Sequence, residues 1–194
     1  MKIHGYTVVL AAAIAAVGQI ASAHTKVYEF QLSGLAEVPV VATPGTGFAR
    51  ATFDLDLVTM RIEASFADLL GTTSLAHIHC CDFQANTNAG VATQTPLFTG
   101  FPTGVTSGTY DHTFDMTQTS SYRAQFLTAN GGSVSNALAS LITGLDSGMA
   151  YFNIHTSTFP SGEIRGQAVF VPEPASVLLG LLGLGLPVML RRSR

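Results

Sequence analysis

Two histidines one residue apart, His77-Ile78-His79, and a third, His155, are the side chains of this protein best placed to do chemistry. On an extended strand, residues i and i+2 leave the same face, so His77 and His79 project together while Ile78 points into the core. His155 ends a second extended segment, Ala150–His155. Two imidazoles from one strand and a third from a neighbour form a ligand set for copper or zinc, which neutral imidazole nitrogens suit. A fourth donor could come from His112, His24, Asp82 or Glu163. A structural use competes with the metal: imidazoles at strand ends hydrogen-bond carbonyls or carboxylates and hold loops. Use of one ring as a catalytic base is a third reading.

Other residues could support such a site. Asn153 shares the His155 face. Glu163 and Arg165 share a face, with Ile164 opposite, and could hold each other or orient a histidine. The glycines at 162 and 166 suggest a bulge or a close backbone approach. The only cysteines are adjacent, Cys80-Cys81. Two buried thiols, a vicinal disulfide and a soft-metal site all remain open for them. No phosphate-binding glycine loop, Gly-x-Ser-x-Gly or His-Glu-x-x-His is present.

Short strands must carry these residues. Lys26–Leu32, Gly47–Leu57 and Arg61–Phe66 alternate with period 2, the last two forming a hairpin. Further strands are expected at Leu75–Cys80, Val91–Thr95, Gly108–Met116, Tyr122–Phe126, Ala150–His155 and Gly162–Phe170. Phe98–Ser107 reads as a loop whose phenylalanines pin it to the core. One helix is expected at Ser133–Leu141, with Val134, Ala137, Leu138 and Leu141 as its apolar face, Ser133 as N-cap and Gly144 as terminator. The pattern predicts an all-β fold, a Greek-key-like β-sandwich or barrel with one short helix.

The two ends read as addresses. Lys2 and His4 precede an apolar stretch and Ala21-Ser22-Ala23, a secretory signal peptide over residues 1–23. Cleavage there would expose His24, which with its free amine could chelate copper as in histidine-brace proteins. The net charge of −3 hides an acidic middle, because four of the nine basic residues lie in the terminal segments. Nucleic acid is therefore excluded as an expected partner. At the other end Pro172-Glu173-Pro174 precedes an apolar run of about 16 residues, a marginal span for a bilayer that asks for roughly 20. Arg191, Arg192 and Arg194 follow, and the positive-inside rule keeps them cytoplasmic.

Two resemblances follow from these motifs. Residues 171–194 resemble the PEP-CTERM sorting signal of exopolysaccharide-producing Gram-negative bacteria. That implies signal peptidase and an exosortase-type membrane protease as processing partners. It also implies export across the inner membrane to the envelope or beyond, with transient or permanent membrane anchoring. Residues 24–170 look like one CHRD domain, named for chordin and widespread in bacterial secreted proteins. Leu32-Ser33-Gly34-Leu35-Ala36-Glu37-Val38-Pro39 with Thr43 and Gly47, Ala76-His77-Ile78-His79, and Ala150–Thr156 running to Pro160–Gln167 carry that resemblance in order. Cys80-Cys81-Asp82-Phe83 stands where many relatives have a small, glycine-rich turn. The His-x-His strand is also similar to that of copper–zinc superoxide dismutases.

Three functions follow as expectations. The first is a non-enzymatic binding or structural domain of the envelope or extracellular matrix, with exopolysaccharide or envelope components as partners. The second is a copper- or zinc-binding redox protein using His77, His79 and His155. The third is a carbohydrate-active enzyme of a biofilm matrix.

Overall fold

A computed structural model describes residues 24–81 and 87–172. Among the described residues eight strands run in chain order as β1 (Thr25–Ser33), β2 (Thr46–Asp54), β3 (Thr59–Ala67), β4 (Thr73–Cys80), β5 (Gly108–Asp115), β6 (Ala150–Thr156), β7 (Ile164–Gln167) and β8 (Val169–Val171). Two helices, α1 (Ala124–Ala129) and α2 (Val134–Asp146), lie between β5 and β6. The strands form one sheet in the order β4-β6-β7-β1-β2-β3-β5, with β8 also paired to β1. Every strand pairing is antiparallel.

The alternating segments fold as their pattern requires. In β3, Met60, Ile62, Ala64 and Phe66 are buried while Arg61 and Ser65 are exposed. The sheet then curls on itself. Phe98, in the loop before β5, sits with its ring centroid 5.1 Å from Phe114 of β5 and 5.7 Å from Phe152 of β6. One buried ring thus joins the two ends of the strand order. The result is a curled half-barrel or sandwich around a single aromatic and aliphatic core.

β6 departs from simple alternation: all seven of its residues are buried. Ala150, Phe152 and Ile154 belong to the hydrophobic core. Tyr151, Asn153 and His155 lie on the other face, beneath loops rather than in water. Strand β4 repeats this from Ala76 to Cys80. The edge of the sheet that carries the histidines therefore has a second, polar buried layer.

Several expectations are corrected. Val91–Thr95 forms no strand, only single bridges from His79 to Val91 and from Thr93 to Tyr122. Tyr122–Phe126 is not extended either; the chain turns into α1 at Ala124, a helix too short to show a period. The second helix extends beyond Leu141 and through Gly144 to Asp146, with Leu145 adding to its buried face. Ser133 does cap it, accepting from the Asn136 N–H. Gly162–Phe170 is split into β7, on β6, and β8, on β1.

The membrane-anchored location is also corrected. Among the described residues no helix is long and apolar enough to cross a membrane. The expected signal peptide over residues 1–23, and Glu173, Pro174 and the apolar run with its arginines, fall outside the described residues, as does Asp82.

Candidate metal centre

Cross-strand register assembles the site. In the β4–β6 pair, Leu75 faces His155, His77 faces Asn153 and His79 faces Tyr151. In the β6–β7 pair, Asn153 faces Arg165. Period 2 puts His77, His79, Tyr151, Asn153, His155 and Arg165 on one face, away from the core. One potential ligand atom from each of His77, His79 and His155 lies within 4.8 Å of the others.

These rings are buried, not surface-facing as the strand pattern alone suggested: His77 is 3%, His79 9% and His155 7% exposed. His79 Nδ1 lies 2.7 Å from the Ala89 carbonyl oxygen, and His155 Nδ1 lies 2.8 Å from that of Pro160. A carbonyl only accepts, so both Nδ1 atoms carry the proton and both Nε2 atoms carry a free lone pair. Those Nε2 atoms and His77 Nδ1 are buried without any hydrogen-bond partner. A buried polar atom left unpaired costs about 1–3 kcal/mol. Three such atoms on neighbouring rings are a sizeable unmet demand, and the two Nε2 lone pairs call for an electrophile.

The electrostatics keep the lone pairs available. Burial, reinforced by the neighbouring His79 and His155, pushes His77 down to about 2. Burial takes His79 to about 4, although its bond to Ala89 pulls upward. Burial also lowers His155 against the pull of its Pro160 bond. All three imidazoles are neutral at pH 7, the form a metal requires. Nitrogens sharing one ion at metal–nitrogen distances near 2.0–2.1 Å stand roughly 3.4–3.6 Å apart. Binding would draw these rings together by about an ångström from their 4.8 Å limit.

The remaining polar residues frame the triad. Arg165, 2% exposed, donates from Nε to the Ala36 carbonyl at 2.5 Å and from an Nη to Asn88 Oδ1 at 2.8 Å. Its guanidinium stacks 4.4 Å from the Tyr151 ring, whose other neighbour is the parallel His79 ring at 4.7 Å. Arg165 does not pair with Glu163; its carboxylate neighbour is Glu37, at 3.8 Å. Burial pushes Glu37 up to about 7 despite that guanidinium, and its Oε1 has no partner. Asn153 Oδ1 is also buried and unpartnered. Both side chains press on Gly162, where φ is +126° and a Cβ would fall 2.6 Å from the Asn153 amide and 2.7 Å from Glu37 Oε1.

Glu163 faces elsewhere. It accepts from Thr43 and the Leu70 N–H on one oxygen and from the Gly71 N–H and Thr156 on the other. It is a pin between loops, and no oxygen is left for a metal. His112 sits on β5, opposite Ile62, and His24 bonds Asp56 at 3.1 Å. Neither belongs to the triad. Sequence reading missed roles for Glu37, Tyr151, Thr43 and Asn88. Glu37 and Thr43 had a signal in their place in the first motif and Tyr151 in its place in the last; Asn88 had none.

The metal-free protein is predicted to lose stability on mild acidification. Unfolded histidines titrate near 6.5, whereas the folded ones resist protonation. Below that pH the unfolded state binds two protons that folded His77 and His79 refuse, and His155, also lowered by burial, adds to the difference in the same direction. Glu37 opposes this, because folding raises its pKa and holds one proton the unfolded chain has released. The net excess of about one to two protons in the unfolded state removes roughly 1–3 kcal/mol per pH unit between about pH 6 and 5. Thermal melts across that window measure it, and a flat midpoint would show that the rings charge in place.

A family model described as the CHRD domain matches residues 28–168 of this chain, which includes His77, His79, His155 and the residues that frame them. Comparison with curated proteins and with solved structures returns no match.

Proposed function

The chain belongs to the CHRD domain family, and from that premise we propose that it is a binding protein whose ligand is a single copper or zinc ion held by His77, His79 and His155. The carrying observation is a cluster of three buried imidazoles that offer ligand atoms within 4.8 Å of one another, each with one buried nitrogen that has no partner among the described residues. Histidines that serve only as loop pins would spend both nitrogens or leave one in water. Here Ala89 and Pro160 hold the Nδ1 protons of two rings, the outer-sphere arrangement that fixes tautomer and raises ligand basicity. An all-imidazole set favours copper or zinc over the harder magnesium and calcium. An ion held by His77, His79 and His155 would supply a Lewis-acidic centre. The chain's own contribution is to hold the rings neutral, exclude bulk water and brace the layer through Arg165 and Tyr151.

The test is metal content. Protein purified without a polyhistidine tag, then exposed to copper(I) or zinc and desalted, should retain one ion per chain. Retention of neither metal would end this reading.

The C-terminal segment carries a separate proposal. Residues 171–194 are read as a processing signal for an exosortase-type protease, supported by the order of triplet, apolar run and arginines. Changing Pro172, Glu173 and Pro174 to alanine should abolish C-terminal trimming in the producing organism. Trimming to the wild-type mass would remove the proposal.

A further inference from the structure

Directly after His79, Cys80 and Cys81 are joined in a vicinal disulfide. Its two sulfurs sit in different surroundings. Cys80 is 6% exposed and packs in the core, whereas Cys81 is only partly buried. Both line a cavity of about 520 Å³ between α1 and α2. Phe126, Ala129, Ala139 and Met149 supply apolar wall, and Ser140 and Thr143 supply polar groups. The floor of this solvent-connected cavity is therefore an electrophilic sulfur–sulfur bond.

The helix above is shaped around it. Gly144 lies inside α2, where glycine costs about 1 kcal/mol relative to alanine. A Cβ there would collide with Cys80 Sγ and stand 2.8 Å from Cys81 Sγ. The helix backbone can rest on the disulfide only because that side chain is missing. Cys81 itself has φ +79°, a left-handed conformation uncommon outside glycine. Its N–H is held by the Met149 carbonyl at 3.2 Å, and its sulfur lies 3.4 Å from the Ser140 carbonyl oxygen.

The geometry points to Cys80–Cys81 as a thiol–disulfide exchange site, entered through the α1–α2 cavity and taking a small thiol or dithiol as its substrate. The incoming thiolate attacks Cys81 Sγ, the reachable sulfur, and the Cys80–Cys81 bond breaks. The electron pair leaves on Cys80 Sγ, which takes a proton from solvent. With a dithiol, the second thiol then attacks the mixed disulfide, freeing Cys81 as a thiol and closing the reagent into its own cyclic disulfide. The protein gains two electrons and two protons, and the dithiol loses the same. With Gly144 closing the space over the sulfurs, the freed Cys81 side chain turns toward the cavity. The site is independent of the metal reading, so metal-free protein serves for the test.

The full chain is treated with dithiothreitol under native conditions, quenched with iodoacetamide and followed by mass spectrometry. Wild type should acquire two labels at a rate linear in dithiothreitol and unchanged by urea well below the unfolding transition. A mixed disulfide caught by the quench should carry dithiothreitol on Cys81 and the alkyl label on Cys80. Thr143→Phe, which fills the cavity mouth from an exposed helix position, should slow reduction at least tenfold; Ala139→Leu should slow it less. If either variant does not fold, the wild-type urea dependence decides. A rate that rises with urea in step with global unfolding overturns the proposal. So does equal reactivity of folded Thr143→Phe and wild type, or a trapped mixed disulfide that carries dithiothreitol on Cys80.

Discussion

Replacing His77 with leucine should eliminate copper and zinc retention while leaving the metal-free protein as stable as wild type or slightly more so. The sign of the second effect is what separates the two uses of the ring. Among the described residues His77 has no hydrogen-bond partner, its Nδ1 is buried, and its ring packs 4.7 Å from His79 and 4.8 Å from His155. Leucine has a similar volume, so the swap leaves little cavity and removes a polar atom whose unmet demand costs about 1–3 kcal/mol. Truncation to alanine would mix ligand loss with a packing defect, because the site is buried on both sides of β4. Metal at about a thousandfold above its Kd stabilises the folded state by about 4 kcal/mol. For a domain of this size that raises the melting midpoint of wild type by roughly 8–16 °C. The leucine variant should show no such rise. If it melts well below metal-free wild type, and wild type ignores both metals, the ring is scaffolding.

The period-2 strands were legible because one face of each meets the core, so β1, β2, β3 and β5 could be read within a few residues. The pairing of His77 with His79 followed from the same rule. The burial of that face did not. In β6, Tyr151, Asn153 and His155 alternate with Phe152 and Ile154 like the wet side of a strand, but residues 34–41, 87–91 and 158–162 fold over them. Covering loops arise from tertiary packing and leave no period in the chain. Glu37 was hidden for the same reason: it sits in a loop far in sequence from Arg165 and Asn153. Gly144 was misread as a helix terminator because a glycine needed for close approach looks the same as one needed for a turn. The sulfur–sulfur bond that requires it was one of three open readings.

Replacing Glu163 with alanine should be among the most damaging single changes in the domain. This residue is fully buried and receives four hydrogen bonds, at 2.7 Å from Thr43, 2.6 Å from the Leu70 N–H, 3.0 Å from the Gly71 N–H and 2.7 Å from Thr156. Burial alone would push its pKa up, but these four donors outweigh burial and hold it below the ordinary carboxylate value. Alanine would leave two backbone N–H groups without an acceptor, at about 1–3 kcal/mol each, and forfeit charge-assisted bonds of similar size. A loss of about 4 kcal/mol lowers the midpoint by roughly 8–16 °C. Glutamine keeps the volume but turns an amide N–H₂ toward two donors, so most of the loss should persist. The pH dependence identifies the cause. Because the folded pKa is depressed, the carboxylate's contribution is complete above the unfolded value near 4.3 and is lost as pH falls below it. The gap between wild type and Glu163→Gln should therefore be widest at neutral pH and shrink below about pH 4.3. Metal retention by Glu163→Gln should match wild type wherever the variant is folded, because Glu163 pins loops and touches none of the three rings. A gap independent of pH would show that packing, rather than the ionised carboxylate, holds Thr43, the 70–71 turn and the end of β6 together.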